Sequence, residues 1–187
     1  MRKKYSNFAV NQFLIHHKFL SDGKGLYFHG YNGSRKNHMS SIRWGRANAW
    51  ILLSSMELID ILVEFEGKNM IIENVVRHCK ERKKFQKEDG GFGTILDDHT
   101  SYTEMSGTAV IIAGIIKAVK TGIINEIKFK TVIERGIKCV KDDISSYGSV
   151  MHVSTGTPVM PDGDGYKTIQ VMPTLYGQAL TIAMLTA

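Results

Sequence analysis

Apolar residues recur along this chain at helical spacing, and the helical stretches are separated by short glycine-marked segments. Phe8, Phe13, Leu14 and Phe19 sit among polar residues between Tyr5 and Leu20, which predicts an amphipathic helix closed by Ser21-Asp22-Gly23. Gly25 to Gly30 reads as a short extended piece and Asn32 to Ser41 as a polar loop. The series Ile51, Leu52, Leu53, Met56, Leu58, Ile59, Ile61, Leu62 then predicts a buried helix that runs on from Trp44 and stops near Gly67.

The same scheme returns twice. Met70 to Phe85 is a second outer helix with Ile71, Val75, Val76 and Cys79 inward, broken at Glu88-Asp89-Gly90-Gly91 and followed by an extended Phe92–Leu96 and a loop at Asp97–Thr100. Thr103 or its neighbour caps a helix from Glu104 to Lys120, whose Ser106, Gly107, Ala109, Ala113, Gly114 and Ala118 form a small-residue face suited to close packing. A third outer helix runs from Asn125 to about Asp142, with a turn at Ser145-Ser146 and an extended Tyr147–Val153. A glycine-rich loop, Ser154 to Met172, leads to Pro173 and the last helix, Thr174 to Ala187.

Helix, short strand, loop, helix, repeated at about sixty residues, is a repeat signature. The predicted fold is all-α and a single domain over 1–187, with charged amphipathic outer helices and apolar inner ones, as in a double ring. Three hairpins make half of an (α/α)6 barrel, an incomplete toroid whose two edges expose apolar faces that water penalises by about 25 cal/mol per Å². A complementary N-terminal half, or self-association, is therefore expected.

Composition narrows the function. Lys and Arg number 24 against 18 Asp and Glu, a net charge of +6, concentrated in Arg2-Lys3-Lys4 and Arg77 to Lys87. Without interleaved aromatics these runs read as solvated helix faces and not as a nucleic-acid surface. Cys79 and Cys139 lack metal or redox spacing and read as buried thiols. Neither a secretory leader nor a membrane span is evident, which points to the cytoplasm. The histidines, with His16 and His17 on an outer helix face, show no ligand spacing, so no metal or other cofactor is expected and a metal-dependent cyclase of toroidal fold is disfavoured. Gly156 to Gly165 lacks a phosphate-loop Gly-Lys-Ser, and Asp162 and Asp164 lack a calcium-loop pattern.

The chemistry centres on Trp44-Gly45-Arg46-Ala47-Asn48-Ala49-Trp50. Indole faces suit sugar rings and a guanidinium suits a carboxylate, so the stretch suits an acidic sugar. Both tryptophans filling core is the competing reading.

Four ordered blocks resemble the unsaturated rhamnogalacturonyl and glucuronyl hydrolases of glycoside hydrolase families 88 and 105. They are Leu26 to Tyr31, Trp44 to Trp50, Ile95 to Asp98 with Tyr102 to Ala109, and Gly156 to Met160 through Tyr166-Lys167 to Tyr176–Leu180. The resemblance spans nearly the whole chain. It implies a six-hairpin α/α barrel and hydration of the C4=C5 double bond of an unsaturated uronic acid, as left by pectin lyases, after which the glycosidic bond opens. By that resemblance His29, Trp44, Arg46 and Trp50 fall on pocket positions, with Tyr166 and Lys167 on a rim loop able to touch substrate. The family's general-acid aspartate and a second aspartate precede the His29 block, so the resemblance implies no catalytic residue within this chain, and Phe92 stands where the family often has tryptophan. The expected protein is the C-terminal half of such a hydrolase, inactive alone. The alternative is a catalytically silent carbohydrate-binding or scaffold protein.

Overall fold

In the computed structural model, which describes residues 2–62 and 64–187, seven helices and one two-stranded hairpin follow in the order α1 (Arg2–Leu20), β1 (Gly30–Asn32), β2 (Asn37–Ser40), α2 (Gly45–Ile61), α3 (Lys68–Lys83), α4 (Met105–Lys120), α5 (Glu126–Asp142), α6 (Gly163–Lys167) and α7 (Leu175–Leu185). Met1, Val63 and the side chains of Arg2 and Lys3 lie outside the described residues, so the expected solvated face at Arg2-Lys3 lies outside them too.

Helix α4 is the centre of the molecule. It packs against α2 on one side and α7 on the other, with α5 behind it, while α3 lies behind α2. Hence α4 is buried almost all round, with Ala109, Ile111, Ile112, Ala113 and Ile115 fully covered, each large side chain contributing about 1.5–3 kcal/mol. The small residues predicted to permit close packing do so: a Cβ on Gly114 would come within 2.6 Å of Leu52 Cγ across the α2–α4 contact. Helix α5 shows its buried stripe at Phe129, Val132, Gly136, Cys139 and Val140, the spacing of one helical face.

The result is an arc of three hairpins, with α2, α4 and α7 inside and α1, α3 and α5 outside. Apolar side chains remain uncovered on its end members. Tyr5 and Phe8 on α1 and Ile61 on α2 stand out at one end, and Leu175, Ile182 and Leu185 on α7 at the other. Among the described residues no helix is long and apolar enough to cross a membrane.

Several boundaries differ from the sequence expectation. Helix α2 ends at Ile61, well before Gly67, and Gly67 instead precedes α3 in a left-handed conformation. Part of the expected loop between Asn32 and Ser41 is a strand: β1 pairs antiparallel with β2 in the register Gly30 to Ser40, Tyr31 to His38 and Asn32 to Asn37, with an irregularity after Gly30. The expected extended pieces are held by single bridges, Trp44 to Ile95, Gly93 to Thr103 and Ile144 to Val150. The long C-terminal loop contains α6, started by the Asp162 side chain accepting from the Gly165 amide. The cap of α4 is Glu104, whose carboxylate accepts from the Ser106 and Gly107 amides.

Because Gly114 lets α2 and α4 approach, Gly114→Val should lower the unfolding free energy by about 1–3 kcal/mol in urea titration followed by far-ultraviolet circular dichroism. An unchanged midpoint would show that α2 can draw back without loss.

Candidate functional site

The connections at the amino-terminal ends of the inner helices meet at one end of the arc. Gly45, opening α2, donates its amide to Thr94 O at 2.9 Å, and a Cβ there would come within 2.5 Å of Gly93 O, so glycine is required by the approach of two backbones. Met105, opening α4, donates to His152 O at 2.9 Å. Thr174 caps α7 by accepting from the Gly177 amide. Three helix N-termini thus face the same loops, an arrangement that favours negative charge.

Arg46 stands in the first turn of α2 and is only 6% exposed. Its Nη1 donates to Ser106 Oγ at 3.0 Å and Ser154 O at 2.8 Å, and its Nη2 to Thr155 O at 2.9 Å and Thr157 Oγ1 at 3.2 Å. The guanidinium lies between the rings of Trp44 and Tyr176, 4.9 Å from each centroid. Its counter-charge is Glu104, 3.7 Å away. Glu104 Oε1 accepts from Ser106 Oγ at 2.7 Å and the Ser154 amide at 3.0 Å, and Oε2 from the Gly107 amide at 2.6 Å. The pair therefore fastens α2, α4 and the 154–157 loop together, and the guanidinium fork is spent on the protein's own oxygens.

Beside it, the His29 ring packs on Trp44 with centroids 4.3 Å apart, and His29 Nδ1 lies 2.5 Å from Tyr166 Oη. Oη also accepts the Met160 amide, at 3.2 Å, and lies 3.5 Å from Ser40 Oγ. A neutral imidazole carries one donor and one acceptor nitrogen, and Tyr166 engages Nδ1 in either tautomer. Burial, assisted by the Arg46 charge, pushes the imidazole down from 6.5 to about 4. His29 also borders an open cleft of about 620 Å³ between the end of α1 and β1, with Phe19, Tyr31 and Lys36 on its walls.

Thus the structure brings His29, Trp44, Arg46 and Tyr166 together. Trp50 it does not: that indole, 46% exposed, points between α1 and α2 into a separate cleft of about 470 Å³ with Tyr5, Leu53 and Ile61. Six residues after Trp44 on a helix, it faces away from Trp44. Tyr166 is fully buried, so it reaches a ligand only through His29, contrary to the expectation that it touches substrate from a rim loop. Lys167 is tied to Asp98 at 2.6 Å and Thr100 at 3.0 Å. Sequence reasoning missed two residues. Asn48 is fully buried and fixes the 26–29 segment by accepting the Tyr27 amide at 2.9 Å and donating to Tyr27 O at 2.8 Å. Glu104 is the other, and its signal was an acidic residue just before the small-residue run Ser106-Gly107.

Asp22, Asp97 and Asp98, the loop carboxylates nearest the motifs, are committed. Asp22 accepts from the amides of Lys24, Gly25 and Leu26 and pairs with Arg43 at 3.2 Å; despite partial burial, these partners hold it below the usual carboxylate range. Asp97 pairs with Arg43 at 3.1 Å. Lys167 and Thr100 hold Asp98 down at about 2. Among the described residues no three His, Cys, Asp or Glu side chains gather as a metal site.

Against this geometry stand the comparisons with known proteins. The chain matches the profile of Glycosyl Hydrolase Family 88 over residues 1–187. It is 30% identical over 187 residues to the unsaturated rhamnogalacturonyl hydrolase YesR of Bacillus subtilis (strain 168), an alignment covering 98% of this chain and 52% of that protein. It is 28% identical to the unsaturated 3S-rhamnoglycuronyl hydrolase of Alteromonas sp. (strain LOR), over 86% of this chain and 41% of the relative. A crystal structure described as a possible member of the GH105 family, from Klebsiella pneumoniae subsp. pneumoniae MGH 78578, superposes with a TM-score of 0.94 at 32% identity, covering 99% of this chain and 49% of that one. The chain spans about half the length, or less, of these proteins.

Two outcomes follow from the site's electrostatics. Removing Arg46 leaves Glu104 buried without its counter-charge, so Arg46→Met should cost at least about 3 kcal/mol and speed amide hydrogen exchange at 154–157; slow exchange there would mean that other contacts hold the loop. The unfolded chain takes up the His29 proton near 6.5 and the folded chain only near 4, so this contribution to stability is complete above 6.5 and is lost as pH falls through that window. Wild type should lose stability more steeply there than His29→Gln, and equal slopes would contradict the buried neutral imidazole.

Proposed function

The chain belongs to Glycosyl Hydrolase Family 88, and on that premise we propose that it forms one wall of a site for unsaturated uronyl oligosaccharides of the kind released in pectin breakdown. The observation that carries the reading is the convergence of His29, Trp44 and the Arg46–Glu104 pair where three inner helices begin. The helix N-termini and the Arg46 charge favour a carboxylate-bearing sugar, and the His29 imidazole borders the open cleft beside them. Arg46 acts through its field and by holding the loop, since its fork is already occupied.

Hydration of a C4=C5 double bond needs a group that gives a proton to carbon while water is activated. Glu104 has both oxygens on amides and a hydroxyl, while Asp22, Asp97 and Asp98 sit in ion pairs. We therefore assign the general acid to a segment outside these 187 residues. The uncovered apolar edges at α1–α2 and α7 suit the hairpins that carry it, supplied by a complementary chain section; a second copy of this chain would bring no such acid. A catalytically silent sugar-binding protein is the second reading, favoured by the same committed carboxylates.

The test is a pair of measurements on the isolated chain with unsaturated rhamnogalacturonan and chondroitin disaccharides. Loss of the double bond's ultraviolet absorbance should be slower than in a complete family enzyme by about a hundred to ten-thousand-fold. Calorimetric titration should show saturable binding that His29→Ala weakens. Steady turnover by the isolated chain would overturn the external acid, and absence of binding by the wild type would overturn the site.

A further inference from the structure

The open cleft that His29 borders has a volume of about 620 Å³, which is the size of a site for a ligand of more than one ring. One wall is the end of α1, with His16 and Phe19, and the other is the β1–β2 hairpin, with Gly30, Tyr31 and Lys36. The Phe19 and Tyr31 rings lie against each other with centroids 4.8 Å apart. His38 on β2 donates Nε2–H to Phe19 O at 2.9 Å and sets its ring edge-on to Tyr31, so the hairpin is fastened to the end of α1. His16 Nδ1 donates to Gln12 O at 2.7 Å, which leaves Nε2 outside that bond. Aromatic faces with a polar rim are the surface that a sugar ring stacks on.

The cleft also has a sign. In this fold the position of a cation is set by the face it takes: Arg82 is fully buried, against the expectation that the run from Arg77 to Lys87 is solvated, whereas Lys36 is exposed on the wall of the cleft. Among the described residues no carboxylate pairs with Lys36 and none lines the cleft. Lys36 is also the one non-glycine residue among them with a positive φ, at 52°. Glycine adopts that conformation freely and lysine does not, and strain of this kind gathers at ligand clamps. The turn that imposes it is closed by Asn32 Oδ1, which accepts the Arg35 amide at 2.9 Å.

Resting on the sugar site around His29, we propose that this cleft receives the part of the oligosaccharide beyond the unsaturated uronyl ring, and that Lys36 selects for an anionic group there, a carboxylate or a sulfate ester. His29 belongs to both spaces: its ring packs on Trp44, and it borders the cleft. A chain of sugars that enters at the Arg46 junction therefore leaves past Tyr31 and Phe19 towards Lys36. Tyr31 supplies stacking, which is blind to charge, and Lys36 supplies the discrimination.

The test is calorimetric titration of the intact chain with four unsaturated disaccharides: digalacturonate, with a carboxylate on the second ring; the rhamnogalacturonan unit, whose second ring is neutral; and chondroitin units with and without a sulfate ester. Lys36→Gln should weaken digalacturonate and the sulfated unit by about two- to fivefold, as for an exposed ion pair, and leave the two neutral-ring probes unchanged. A loss for only one of the two charged probes tells which anion Lys36 reads. Lys36→Gly should give the same loss of binding with a Tm equal to or above that of wild type, since glycine relaxes the left-handed turn; this separates the role of the side chain from damage to the hairpin. Tyr31→Leu should weaken all four probes by a similar factor. Wild-type binding that both Lys36 variants leave unchanged for every probe would overturn the cleft proposal and spare the sugar site, whereas no binding of any probe by the wild type would overturn both.

Discussion

The loop end of this protein depends on one buried charge, the guanidinium of Arg46, held between the rings of Trp44 and Tyr176. A buried ion pair repays its desolvation only when its remaining donors and acceptors are satisfied. Here they are: four oxygens take the Arg46 nitrogens, and Glu104 distributes its own oxygens over amides of α4 and of the 154–157 loop. Ser106 sits between the two, accepting from Arg46 and donating to Glu104. Because the same carboxylate caps α4, the charge pair and the start of the central helix form together or not at all.

The rest of the site inherits its position from that junction. Trp44 is fixed on one side by Arg46 and on the other by its bridge to Ile95, and its ring is the surface on which His29 rests. Tyr166, carried by the short α6, approaches from 137 residues further along and holds the His29 ring through Nδ1. Three remote stretches of chain thus determine one imidazole. Below them, the glycine and alanine positions of α4 let α2 and α7 come close enough for their N-termini to share a face.

Much of this was legible in the sequence, and the failures have physical causes. Periodicity located every long helix, and the small-residue face of α4 announced a close contact that Gly114 and Leu52 make. The arc of a six-hairpin ring followed from the repeat, and the family blocks agreed with it. Composition misled at Arg82, because a charge run describes a stretch while burial is decided by which face each residue takes. Trp50 was grouped with Trp44 by proximity in sequence, yet six residues along a helix set them on different sides. The β1–β2 hairpin was missed because its strands are short and polar: pairing with each other, and not burial, holds them. Glu104 looked like an ordinary helix start, since nothing local reveals that Arg46, far earlier in the chain, will lie beside it.

The distribution of charge supports the proposal that the site draws its acid from outside these residues. An acid that protonates carbon must remain protonated near neutral pH, which calls for an apolar or like-charged setting. Asp22 and Asp98 have the opposite setting: cations and hydrogen-bond donors surround them and favour their charged forms, while Glu104 is tied to Arg46 and to donors of α4 and the 154–157 loop. On the proposed reading, the same donors that would draw an anionic sugar to this end keep Asp22 and Asp98 from serving as acids. A site that both draws in a uronate and delivers a proton must separate the two environments, and on the proposed reading that separation follows the open edge of the arc: the cationic wall lies on this chain, and we place the proton donor on the segment that would complete the ring.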